Sequence, residues 1–101
     1  MKLRTRRGGY STELAKEIIS DSKSVISLST ELEPQYVWDK GHRTDQISGF
    51  QAWFAQEELG SFKIKFEHEV KLPPFLSEVD FVDLEACQVR NNVYFKAKDI
   101  N

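Results

Sequence analysis

Lys63 and Lys65, two apart in an alternating stretch, and Tyr94, Lys96 and Lys98, spaced the same way near residue 100, put cations and a ring on single faces of extended segments. Lys71 continues the first row. Such interleaving suits single-stranded nucleic acid: ammonium groups track phosphates, and an exposed ring stacks on a base for about 1–3 kcal/mol. A third group, Tyr36, Trp38, Lys40, Arg43 and Trp53, surrounds the first turn signal. An indole is costly to leave in water without purpose, so these tryptophans either close a core or form a contact surface. Glu67 and Glu69 dilute the lysine row, which therefore also reads as an ordinary solvated strand face.

Bond-making chemistry finds little to work with. There is no glycine-rich phosphate loop, nucleophile elbow or histidine pair at helical spacing. His68 falls at an inward strand position and reads as a hydrogen-bonded core residue, His42 as a solvated turn residue, and Cys87 as a small buried apolar one. Glu57 and Glu58 precede Leu59-Gly60 and read as a loop. The expectation is a non-enzymatic protein with no cofactor and no metal.

The elements that must position these side chains follow from periodicity. Leu14, Ala15, Ile18 and Ile19 have helical spacing, with Ser11 or Thr12 as N-cap and a stop at Asp21-Ser22, so a short helix is expected near 11–21, docked across the mouth or edge of a sheet. From Ser24 the period becomes two: Ile26, Leu28 and Leu32 alternate with Ser27, Ser29 and Glu31 until Pro34 interrupts. Tyr36-Val37-Trp38 resumes extended, and Asp39-Lys40-Gly41-His42 turns the chain into a second strand from about Thr44. There Phe50, Ala52 and Phe54 share one face, and a bulge at Ser48-Gly49 brings Ile47 into phase. The third strand alternates from Phe62 through Ile64, Phe66, His68 and Val70 to Leu72, where Pro73-Pro74 stops it. A fourth covers about 80–90, and Asn91-Asn92 turns into a fifth, 93–99. Five strands, one of them bent, predict a mainly β fold: a five-stranded barrel of the oligonucleotide-binding type, or a strongly curved antiparallel sheet, with one short N-terminal helix.

Composition bounds the rest. A length of 101 residues gives one core and little apolar material for a large buried cavity. Residues 1–10 form a basic N-terminal arm and 11–101 a single β-rich domain. Lys2, Arg4, Arg6 and Arg7 are four of the 14 basic side chains, set against 16 acids that all lie after residue 9, and the net charge is −2. The arm serves either as a solubilising terminus or as a phosphate contact. One cysteine permits no internal disulfide, and no apolar run approaches membrane-spanning length, so a cytoplasmic location with no membrane partner is expected.

Several segments carry a resemblance. Tyr36-Val37-Trp38-Asp39-Lys40-Gly41-His42-Arg43-Thr44-Asp45 with Ile47-Ser48-Gly49-Phe50, then Val70 to Ser77 and Phe81 to Leu84, and the closing Val93-Tyr94-Phe95-Lys96-Ala97-Lys98-Asp99-Ile100, resemble small proteins of conjugative transposons, plasmids and phages. These are similar in layout to the filamentous-phage single-stranded-DNA-binding proteins, which are dimeric five-stranded barrels. The resemblance spans about 24–100. It implies single-stranded DNA binding in replication or transfer of a mobile element, through the hairpin aromatics and strand lysines. The alternative is a protein-interaction module or homodimer using the same aromatics, with edge-strand pairing as one route.

Overall fold

The computed structural model describes residues 9–101, so the expected basic arm lies outside the described residues except for Gly9 and Tyr10. Ser11 starts the helix α1 (Thr12–Ile18), accepting the Leu14 N–H at 3.1 Å. The helix stops at Ile18, short of the expected Asp21. Ile19 is extended, and the Ser20 N–H turns to the side-chain oxygen of Gln56, 3.0 Å away.

The first strand, β1 (Val25–Ser27), has the opposite phase to the expected one: Val25, Ser27 and Ser29 are buried, while Ile26 and Leu28 are half-buried. Its ladder decides this, because Ser27 stands opposite Phe54 and shares that residue's inward face. After Ser27 the chain leaves the ladder, and the Ser29 hydroxyl accepts the Trp53 N–H at 2.8 Å where a carbonyl would otherwise serve. Pro34, expected to interrupt, lies inside β2 (Glu33–Asp39). The Gln35 and Val37 carbonyls accept the hydroxyls of Ser48 and Thr44, so these odd residues turn their backbone toward the partner strand. Pro34 alternates with them, and its missing N–H falls on the open edge, where nothing needs it.

Lys40 (φ 51°) and Gly41 (φ 82°) make the two-residue turn into β3 (His42–Gln56), which starts two residues before Thr44. The expected bulge is present: Gln35 faces Gly49 whereas Tyr36 faces Ile47, leaving Ser48 over, and a second irregularity follows between Tyr36 and Trp38. Gly49 is required there, since a Cβ would come within 2.8 Å of the Phe66 carbonyl oxygen.

The third expected strand is cut short. β4 (Gly60–Phe66) ends where Phe66 faces Phe50, because beyond that pair β3 pairs with β2 alone. His68 is therefore exposed and not a core residue, although Val70 is buried. A short strand, β5 (Glu78–Val79), forms ahead of the expected fourth one, which is itself divided into β6 (Phe81–Val82) and β7 (Glu85–Val89), with Asp83 at φ 53° as a break. The next hairpin turns on Arg90 (φ 60°) and Asn91, one residue earlier than expected. The expected last strand is likewise two, β8 (Asn92–Lys96) and β9 (Asp99–Ile100). Ala97 donates to Lys65 and Lys98 donates to Val82, carrying the chain from one neighbour to another.

The described residues thus hold nine strands. The main sheet runs β5-β1-β3-β4-β8-β7 with β2 added on β3, and β6 pairs with β9 separately. All pairings are antiparallel except β4 with β8, so the antiparallel expectation fails at one seam. The fold is mainly β, 53% strand, curled into a half-barrel. Its concave side holds Phe54, set edge-on to Phe66 and to Phe81, 4.9 Å away in the second case, and Phe62 against Phe95. Ala15 and Ile19 of the helical segment complete that core. No described helix is long and apolar enough to cross a membrane.

Candidate nucleic-acid interface

Residues opposite one another in a ladder share a face, which allows the outer surface to be read from register. Trp53 faces Lys63 and Gln51 faces Lys65 across β3 and β4; Lys65 in turn faces Lys96 of β8, and Lys96 faces Glu85 of β7. All of these lie on the convex side, behind the inward Phe54, Phe62, Ile64 and Phe95. Tyr94, two before Lys96, joins them and is half exposed. The Lys63 ammonium sits 5.4 Å from the Trp53 ring centroid. That indole is 36% exposed, and its backbone is tied to the segment after β1, donating to the Ser29 hydroxyl and accepting from the Leu28 N–H. A ring held by its backbone with an exposed cation beside it can offer a stacking face and a phosphate partner at one place.

Lys96 is more constrained. Glu85 is 3.6 Å from its ammonium, and the Tyr10 ring lies 4.6 Å away on the same face. Partial burial first, then the negative potential of Cys87, Tyr94 and Glu85, pushes the Tyr10 hydroxyl above its ordinary value of 10.0. Cys87 is buried beneath this cluster, as expected for it. Lys98 stands outside the strand, beside Glu67 and His68 at a small cleft. Lys71 is exposed beyond the end of β4.

The third sequence group is split by the structure. Tyr36, Trp38, Lys40 and Arg43 belong to the outer half of the β2–β3 hairpin, an arm in which nearly every residue of 38–48 is exposed. The Arg43 guanidinium lies 4.5 Å over the Tyr36 ring, and Trp38 is 66% exposed. Along β2 these rings alternate with Gln35, whose amide donates to Gln51 on the Trp53 side. The two tryptophans therefore emerge on opposite sides of the sheet, and neither closes the core.

Tyr10, Glu85 and Gln56 escaped the reading by spacing. Gln56 is 4% exposed and donates to the Ser20 and Lys23 carbonyls while accepting from Ser20, which ties the segment after α1 to the sheet. Nothing in its neighbourhood marks it except an inward strand position. Glu57 and Glu58 are exposed turn residues, as expected, and both reach Lys23, at 3.4 and 2.6 Å. Among the described residues no group of three His, Cys, Asp or Glu is placed to hold a metal ion. An open groove of about 770 Å³ between α1 and β5–β6 is lined by side chains of both signs, Lys16 and Lys23 against Asp21, Glu78, Asp80 and Asp83. Comparisons with protein-family models, with curated proteins and with solved structures give no match.

Proposed function

We propose that this chain is a non-enzymatic single-stranded-DNA-binding protein whose contact surface is the convex face of β3, β4 and β8. The observation that carries the reading is one row of side chains: Trp53 in register with Lys63, and Lys65 in register with Lys96, a ring beside three cations on adjacent strands. Tyr94 adds a second exposed ring, and Lys40 adds a cation at the turn of the arm. An oligonucleotide-binding-type barrel is a partly open Greek-key barrel that takes its ligand on the face of its second and third strands and on the adjoining loops. In favour of that finer description, β3 and β4 are the second and third long segments of the sheet, and the arm and the β7–β8 turn flank them. The resemblance of the first hairpin and the closing strand to proteins of mobile elements favours a cytoplasmic accessory role in their replication or transfer.

Titration of fluorescently labelled oligothymidylate, followed by the anisotropy of the label, tests this. Binding should weaken with salt with a slope near −2 on logarithmic axes if three lysines each neutralise a phosphate, at about 0.7 per contact for single strands. Trp53→Ala should lose about 1–3 kcal/mol of affinity for a stacked base. Absence of binding at low salt, or equal affinity of the Trp53→Ala protein, refutes the proposal.

A further inference from the structure

Trp38 and its surroundings are not used by that surface, and the edge they stand on is open. Among the described residues β2 pairs with β3 alone, so its other edge has no strand partner there. The Gln35 and Val37 carbonyls point to β3, so Pro34, Tyr36 and Trp38 present theirs outward. Gln35-Tyr36-Val37-Trp38 has no charge and no proline, the devices that normally blunt an edge, whereas the facing half of β3 is broken by two register shifts.

From this geometry we infer that β2 pairs antiparallel with β2 of a second copy of this chain, in a register centred on Val37. Residues directly opposite in an antiparallel ladder must both point their backbone at each other or both away, which leaves two central registers. Centred on Tyr36, the pairing sets Glu33 against Asp39 at both ends and Pro34 opposite Trp38, so each Trp38 carbonyl meets a residue with no N–H. Centred on Val37, Tyr36 stands opposite Trp38 twice, all four of their N–H groups find carbonyls, and Gln35 rather than an acid meets Asp39. The four rings then stack as cross-strand aromatic pairs on one side, each tyrosine already backed by Arg43. This inference does not rest on DNA binding, since the convex row stays open.

Sedimentation equilibrium across a hundredfold range of concentration is the test, with two variants. The wild-type chain should dimerise, and Trp38→Lys should raise the dissociation constant about tenfold or more while leaving the unfolding temperature of the monomer unchanged. Val37→Cys places thiols on the two-fold axis with Cα atoms about 4.5 Å apart, inside the range a disulfide spans, so mild oxidation should cross-link it and leave wild type uncoupled. A wild-type monomer throughout, a dimer indifferent to Trp38→Lys, or a dimer in which Val37→Cys does not cross-link would each overturn the inference.

Discussion

One strand runs through two environments. From His42 to Ser48, β3 is a ribbon with water on both sides, and from Gln51 to Gln56 it alternates between buried and more exposed positions. The change comes at the bulge, where Ser48 drops out of register and Gly49 lies against the Phe66 carbonyl. Up to that point β3 has only β2 for company; past it β4 and β1 flank it and the aromatic core lies beneath. The lesson is that alternation in a sequence reports a capacity for a buried face, while partners on both sides decide whether that capacity is used.

Substitutions can break or sharpen this contrast. In the body, Phe54→Ala should destabilise the protein most, by about 3–5 kcal/mol, because it empties a fully buried ring that touches three others; urea denaturation measures it. At the boundary, Gly49→Ala should cost about 1–3 kcal/mol, since its methyl must displace backbone rather than a flexible side chain. A neutral result would mean that bulge and body are not rigidly joined. Ser11→Ala removes the helix cap and should cost about 1 kcal/mol, seen as a lower urea midpoint at constant slope. In the arm, Trp38→Ala at a protein concentration low enough to keep the chain monomeric should change stability by less than about 0.5 kcal/mol, despite removing the larger side chain. A larger loss would show that the arm folds back on the body.

The features legible beforehand were those set locally. Ser11 with helical spacing after it marked the cap, Lys40-Gly41 marked the turn, and the glycine out of phase with Ile47 marked the bulge. Those that escaped depend on distant partners. His68 continues a faultless alternation, yet the strand stops at Phe66 because its neighbour has turned away. Ser27 and Ser29 are buried in place of Ile26 and Leu28 because β3 sets their phase. Asp83 and Arg90 adopt positive φ without a glycine to announce it. At the candidate surface, Lys63 and Lys65 were readable as one row, but the joining of Trp53 to that row and its separation from Trp38 needed the ladder.

The parallel seam between β4 and β8 also governs the order of assembly. The β2–β3 hairpin joins neighbours through a two-residue turn and can form within microseconds of the chain becoming free. The half-barrel, in contrast, cannot set Phe95 against Phe62 until a segment some thirty residues downstream has arrived, and such non-local parallel pairing is slow. During synthesis the exposed arm therefore exists before the body that carries it. A chain stalled ahead of residue 92 would show a free, uncharged strand edge together with an unclosed aromatic core, the combination most in need of a chaperone.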